Sequence, residues 1–278
     1  MTLARQAAVL GSPIEHSLSP VLHLAAYRSL GLVGWTYRAV EVSTHSGLAD
    51  FVGACDGSWA GLSLTMPLKR WVQPLLTAQS ELATATGVVN TVVLDGVGGR
   101  VGHNTDVHGI VEALRERGVR DLSSAVVLGG GATACSAVAA LAHLGCRRPQ
   151  VVVRSPERAA DLVAAGRALG LDVVLAGWAQ AGPLLAAAQV VVSTVPAPAH
   201  DEVRRLLEGT SVPGLMLDVT YHPWPSVLAT SWQGAGGTAL GGFTMLVHQA
   251  AEQVRLMTGR EPDDAAMRAA GETELAGR

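Results

Sequence analysis

Ala125-Val126-Val127-Leu128-Gly129-Gly130-Gly131-Ala132-Thr133-Ala134 decides the fold class. A short apolar run rich in valine and ended by glycine reads as a buried strand. The alanine-rich stretch behind it reads as a helix over 133–144. In such a strand-turn-helix, Gly129 makes the tight turn and Gly131 lets a pyrophosphate approach the main chain. The N-terminus of the helix then faces the negative charge. Ala132 and Ala134 are small enough for close helix packing, although position 134 lacks the third glycine of G-x-G-x-x-G. Taken alone, the turn fits dinucleotide binding and also a purely structural role. Gly129, Gly130, Gly131, Ala132 and Thr133 are accordingly candidates to bind a cofactor.

Downstream the strand-helix rhythm repeats. Strands are expected over 124–128, 150–153, 172–175, 190–193 and 215–219, with a further helix over 156–169. Apolar strands without polar alternation imply a parallel sheet covered on both faces, a Rossmann-like arrangement. The second of these strands ends in Val153-Arg154-Ser155-Pro156-Glu157-Arg158. Sites selective for NAD often place an acidic residue there to accept the ribose hydroxyls. Here Arg154 and Arg158 can clamp an adenosine 2'-phosphate, with Ser155 adding a hydroxyl, so NADP is favoured over NAD. Glu157 suits the first turn of a helix.

Upstream, strands are expected over 7–11, 35–40 and 60–64, alternating with helices over 20–30 and 46–54. Ser19 before Pro20 reads as an N-cap followed by a first-turn proline. The stretches 88–94 and 99–102 flank Asp95-Gly96-Val97-Gly98 and read as a hairpin. A helix follows over 106–117, stopped by Gly118, and a domain boundary is placed near Asp106. After Gly241-Gly242 comes a helix over 243–257. The tail 258–278 is expected to be a solvent-facing helix, frayed by Gly271 and Gly277.

Polar clusters punctuate the first half: Ser17-Leu18-Ser19-Pro20, Thr65-Met66-Pro67-Leu68-Lys69 and Asn104-Thr105-Asp106. Lys69, behind a proline-stiffened loop, is the candidate for proton chemistry, since an ammonium can donate to an oxygen as a carbonyl is reduced. Asp106 can orient that lysine, or can simply cap the helix it precedes. Asn90 and Asn104 are equally credible as turn residues or fixed amide donors. Locally, these alternatives stay open.

The bulk properties exclude several classes. At 278 residues there is room for one large or two ordinary domains. A net charge of −3 with 15% charged residues offers no basic field for nucleic acid. No apolar run approaches the roughly 20 residues needed to span a bilayer, so no membrane partner is expected. The N-terminus lacks a basic segment followed by a long apolar one, which points to a cytoplasmic protein. Cys55, Cys135 and Cys146 lack metal-ligand spacing, so no metal is expected. They read as packing residues, with Cys135 set apart by its place in the first turns of a helix.

In combination these pieces resemble the biosynthetic, NADP-dependent shikimate dehydrogenases. The resemblance runs nearly end to end, through Ser17-Leu18-Ser19-Pro20, Gly61 to Lys69, Asn90-Thr91, Asn104-Thr105-Asp106, the turn at Gly129, Asp218 to Pro223 and Gly242 to Gln249. It implies an α/β chain of two domains. Residues 1–105 would form the substrate-binding and catalytic domain, and 106–238 the Rossmann-like NADP-binding domain; the C-terminal helices of 239–278 would return to the substrate domain.

The resemblance also implies roles. Ser17 and Ser19 would bond the substrate carboxylate with help from Thr65, and Asn90, Asp106 and Gln249 would bind ring hydroxyls. Tyr221 would sit beside the carboxylate; Val219, Gly242 and Met245 would lie at the nicotinamide end. Lys69, paired with Asp106, would be the catalytic residue in reversible NADPH-dependent reduction of 3-dehydroshikimate to shikimate, a step toward chorismate and the aromatic amino acids. The partners implied are this small-molecule substrate and NADP(H), in a monomer or homodimer.

Three departures from the family pattern touch the cofactor side. The usual G-A-G-G turn is Gly129-Gly130-Gly131-Ala132, an arginine shortly afterwards is Cys135, and the asparagine of an N-R-[ST] element is Val153. Two rival readings remain: a quinate/shikimate dehydrogenase using NAD, and a non-catalytic nucleotide-responsive protein that kept the fold.

Overall fold

The structure is a computed structural model that describes residues 4–278, except for the side chain of Arg158. The chain divides into two units, one comprising residues up to His108 together with Leu246–Arg278, the other Gly109–Met245.

The first unit contains β1 (Gln6–Gly11), α1 (Ser19–Ser29), β2 (Thr36–Glu41), α2 (His45–Gly53), β3 (Trp59–Leu64) and α3 (Leu68–Trp71). These are followed by β4 (Ala78–Gln79), α4 (Glu81–Thr86), β5 (Thr91–Leu94), β6 (Arg100–His103) and the start of α5 (Asp106–Glu116). Its sheet has the order β2-β1-β3-β5-β6-β4. β1 runs parallel to β2 and β3, whereas β5 is antiparallel to both β3 and β6. The hairpin expected around Asp95 is present, with Leu94 opposite Arg100. Leu10, Leu62, Leu64, Leu68 and Val92 pack into one buried cluster beneath it. Burial of these side chains drives the unit's folding and fixes the loops at the strand ends.

The second unit is made of β7 (Ala125–Leu128), α6 (Ala132–His143), β8 (Gln150–Val153), α7 (Ala160–Ala168), β9 (Val174–Gly177) and α8 (Ala181–Ala187). It continues with β10 (Val190–Ser193), α9 (His200–Leu206), β11 (Leu215–Asp218), α10 (Val227–Gly234), β12 (Thr238–Gly241) and the start of α11 (Gly242–Thr258). The sheet order β12-β11-β10-β7-β8-β9 is parallel throughout. Counted from β7 this is the doubly wound 3-2-1-4-5-6 order, whose topological switch point lies between β7 and β10. Val126, Val152, Val191, Met216 and Trp232 share its core. The chain then re-enters the first unit through the rest of α11 and α12 (Asp264–Ala276).

Three local expectations change. Leu18, not Ser19, is the N-cap of α1, and Ser19 is its first residue. The serine that helps is Ser17, whose Oγ accepts the Ser19 N–H at 3.3 Å. The helix expected over 156–169 is broken into a 3-10 turn at Pro156–Arg158 and α7, because the chain turns at Ala159 (φ −92°, ψ 19°). The C-terminal tail is not a solvent-facing strut: α12 packs on α1 and buries Met267 and Gly271. Its N-cap Asp263 accepts the Ala266 N–H at 3.0 Å, and Arg278 donates to the His16 carbonyl at 2.7 Å. No helix among the described residues is long and apolar enough to cross a membrane.

Candidate active site

In the first unit, the loop after β3 carries Thr65 and leads into α3. Thr65 N–H donates to the Leu10 carbonyl at 2.9 Å, and the Thr65 carbonyl accepts from Leu68 at 2.8 Å. Met66-Pro67 is a cis peptide. Lys69 therefore leaves the loop on a helical turn anchored to the sheet, and Val89 N–H donates to its carbonyl at 2.9 Å. Its Nζ donates to Asp106 Oδ2 at 2.6 Å.

Asp106 is buried, and both of its oxygens are occupied. Asn90 Nδ2 donates to Oδ1 at 2.8 Å, opposite the lysine. The Asn90 orientation is itself determined, because its Oδ1 accepts the Thr105 backbone N–H at 2.8 Å. Gln249 on α11 joins the group, with Oε1 3.5 Å from Asn90 Nδ2. A buried carboxylate of this kind is tolerable only because a cation and an amide satisfy it. The side chain of Lys69 remains 14% exposed against 2% for Asp106, so the ammonium is the member of the pair open to a ligand. Chemically, the arrangement can present a proton to an adjacent oxygen and keep the donor aligned.

Sequence proximity misleads for Asn104. It is two residues from Asp106, yet donates to Thr86 Oγ1 at 3.0 Å. Ser17 and Ser19 stand at the start of α1, where the Ser19 carbonyl meets His23 Nδ1 at 2.8 Å. Because that carbonyl can only accept, His23 carries its proton on Nδ1. His23 stacks on Tyr37 with ring centroids 3.8 Å apart. Burial pushes its imidazole down to about 4, partly opposed by the bond to Ser19.

In the second unit, a cavity of about 570 Å³ lies at the carboxyl ends of β7, β8 and β10. Gly129, Gly130, Gly131, Arg154 and Ser155 line it. Gly129 has φ +107°, and a Cβ there would strike Thr194, so no other residue suits the turn. Gly131 caps α6 without any side-chain bond to the first N–H groups. Ala132 and Thr133 open that helix, leaving its N-terminus suited to an anion. The residues present thus fit a nucleotide pyrophosphate, with the exposed Arg154 among those that line the cavity. Arg158, also expected there, has its side chain outside the described residues.

Val219, Tyr221, Gly242 and Met245 belong to the same unit. Gly242 N–H donates to the Thr220 carbonyl at 3.0 Å, and a Cβ on Gly242 would run into the main chain of Val219. Met245 is buried and Tyr221 half-buried. Cys135 is fully buried, in keeping with a packing role. Sequence reasoning missed Trp178, Thr194 and Val195, which also line the cavity. Their places at the ends of β9 and β10 follow from the strand order, which no local pattern encodes. Thr105, quoted in its polar cluster without a role of its own, fixes Asn90 through its N–H.

Two family descriptions match the chain: shikimate dehydrogenase substrate binding domain over residues 9–92, and shikimate 5'-dehydrogenase C-terminal domain over 242–270. The chain is 34% identical to shikimate dehydrogenase (NADP(+)) of Thermosynechococcus vestitus, over 96% of this chain and 94% of that one. It superposes on shikimate dehydrogenase of Mycobacterium tuberculosis with a TM-score of 0.86 at 39% identity, covering 97% of this chain and 99% of that one. Quinate dehydrogenase of Corynebacterium glutamicum, solved in complex with NAD, gives a TM-score of 0.85 at 32% identity, with 97% and 99% covered. The chain belongs to the shikimate dehydrogenase family.

Proposed function

We propose that this protein is a shikimate dehydrogenase that interconverts 3-dehydroshikimate and shikimate with NADP(H), on the route to chorismate and the aromatic amino acids. The observation that carries this reading is the Lys69–Asp106 pair at 2.6 Å with Asn90 on the opposite carboxylate oxygen. The unit that runs to His108 and takes up again at Leu246 binds substrate, and Gly109–Met245 binds the nucleotide. The protein acts in the cytoplasm as a monomer or homodimer.

NADPH, when bound, supplies the hydride that reduces the ring ketone carbon. The chain's own residues do the rest. Gly129, Gly130, Gly131, Ala132 and Thr133 receive the pyrophosphate, and Arg154, Ser155 and Arg158 receive the 2'-phosphate. Val219, Gly242 and Met245 shape the nicotinamide end. Ser17 and Ser19, with Thr65 and Tyr221, hold the substrate carboxylate, while Asn90, Asp106 and Gln249 hold ring hydroxyls. Holding both ends makes transfer effectively intramolecular. Lys69 Nζ gives its proton to the carbonyl oxygen as negative charge develops there, and takes it back in the reverse direction. Asp106 keeps the ammonium aimed at that oxygen.

A second reading, oxidation of quinate with NAD, is favoured by the likeness to the quinate dehydrogenase solved with NAD and by Val153 beside Arg154. Steady-state constants for shikimate and quinate, each with NADP and NAD, separate the two. The proposed function requires the highest kcat/KM for shikimate with NADP. A higher value for quinate with NAD establishes the second reading, and binding of NADP(H) without turnover of either acid leaves a non-catalytic protein.

A further inference from the structure

A buried hydrogen-bond chain reaches the Lys69–Asp106 pair from behind. The Tyr37 hydroxyl lies 2.7 Å from Ser63 Oγ, and Ser63 Oγ lies 2.8 Å from Gln253 Oε1. Gln253 Nε2 is 3.1 Å from Thr91 Oγ1, which is 2.9 Å from Asn90 Oδ1. Asn90 Nδ2 completes the path to Asp106 Oδ1 at 2.8 Å. All six residues are at least nine-tenths buried, Tyr37 being the most exposed at 5%.

The direction of every bond follows from two groups whose roles are fixed. The Asp106 carboxylate that holds the Lys69 ammonium can only accept, and the Thr105 backbone N–H can only donate. Between them they turn the Asn90 amide so that Nδ2 faces Asp106 and Oδ1 faces Thr105 and Thr91. Thr91 therefore spends its single proton on Asn90 Oδ1 and must accept from its other neighbours, the Thr105 hydroxyl at 3.3 Å and Gln253. Gln253 meets that need only with Nε2, which turns its Oε1 to Ser63. Ser63 donates to that oxygen and so accepts from Tyr37. Every proton points toward Asp106. A chain polarised in one sense strengthens each of its bonds, and this one ends on a charge.

Gln253 is the member that carries this polarity from one strand to the next. It comes from α11, one turn beyond Gln249, and joins two strands distant in sequence. We propose that Gln253 is a positioning residue of the site. By donating to Thr91 it reinforces the bond from Thr91 to Asn90, and so adds to the hold of the Asn90 NH2 on Asp106 and of the carboxylate on Lys69. The inference rests on the reading of Lys69 and Asp106 as the proton-transfer pair.

Gln253→Met and Gln253→Glu test it. Methionine keeps the length and removes both polar ends. Glutamate keeps the shape, but when ionised it only accepts, drawing the Thr91 proton away from Asn90; when protonated it donates as the amide does. The titratable groups that face the chain are Tyr37, with His23 and Tyr27 against its ring, and Lys69 and Asp106 at the far end. On α11 itself, Glu252 and Arg255 pair with each other.

For Gln253→Met, kcat with shikimate is expected to fall about 10-fold or more, within the ~100-fold that a misplaced group can cost. KM for NADP should stay within about twofold, as expected when the lost interaction does not touch the nucleotide. For Gln253→Glu, kcat should approach wild type at the acidic end and fall as pH rises, a limb absent from Gln253→Met. An equal, pH-independent loss in both variants, or no loss in either, overturns the proposal. A second readout needs no turnover: in the wild type the Asn90 side-chain NH2 protons should exchange slowly by NMR, and in Gln253→Met quickly. If the wild-type protein turns over no shikimate, the proposed function fails while this exchange still decides the role of Gln253; unchanged exchange overturns it.

Discussion

The Lys69 carbonyl accepts the Val89 N–H at 2.9 Å, so the main chain of Lys69 is tied to the residue immediately before Asn90. The side chains of Lys69 and Asn90 then converge on opposite oxygens of Asp106, at 2.6 and 2.8 Å. One backbone bond thus sets the spacing of two side chains that meet on a third. A shift of α3 relative to β5 would move both contacts together, which is why the loop before Lys69 is held to β1 by Thr65 as well.

Asp106→Asn keeps the size of the side chain and removes the charge that aligns the ammonium. Its kcat with shikimate should fall about 100-fold, at the lower end of what positioned proton transfer supplies. Initial rates at saturating NADP measure it. Because the nucleotide cavity belongs to the other unit, NADP binding by calorimetry should be unchanged.

Arg154→Ala tests the choice of cofactor. Losing a charge-assisted bond of about 1.5–3 kcal/mol should raise KM for NADP on the order of 10- to 100-fold. KM for NAD, which lacks the 2'-phosphate, should change little. Equal effects on both nucleotides would remove Arg154 from 2'-phosphate recognition.

His23 makes the stability depend on pH. Its imidazole is pushed from 6.5 down to about 4 by burial, so the unfolded chain binds the extra proton first. The contribution is complete above about pH 6.5 and is lost as pH falls toward 4; full loss amounts to about 3 kcal/mol. Urea denaturation across that window should show it. His23→Phe, which keeps a ring against Tyr37, should flatten the slope even though it forgoes the bond to Ser19.

Gly242→Ala should destabilise the protein by about 1–3 kcal/mol, the usual range for overpacking. A Cβ there meets the Val219 main chain, which cannot step aside as a flexible side chain could. The fall in thermal midpoint measures the effect, and a midpoint equal to wild type would mean that the β11 turn yields freely.

Much of this was legible in the sequence where a short stretch carries its own physics. The valine run ending at Gly129 announces a buried parallel strand, and the hairpin around Asp95 is written in its turn residues. The family motifs bring Lys69, Asn90 and Asp106 into one reading, although spacing alone leaves each with an ordinary alternative. What stays hidden is decided by partners remote in the chain. The two-residue β4 and the edge strand β12 are too short to show periodicity. α12 looks solvent-facing because its alanines and charges hide the one methionine that anchors it on α1. Ser19 resembles a cap, yet the helix begins one residue earlier than that reading requires. Asn104 and Gln253 make the same point from opposite sides: the first sits beside the site in sequence and bonds elsewhere, the second lies far along the chain and bonds inward.

The most direct test compares wild type with Lys69→Met by absorbance at 340 nm, using shikimate with NADP at saturation. Circular dichroism and NADP binding serve as checks that the variant is folded. The wild-type protein should reduce NADP in a shikimate-dependent manner, and the variant should be slower by about 100- to 10,000-fold, the scale of a positioned general acid. A folded, nucleotide-binding variant with turnover within a few-fold of wild type would contradict the assignment of proton transfer to Lys69.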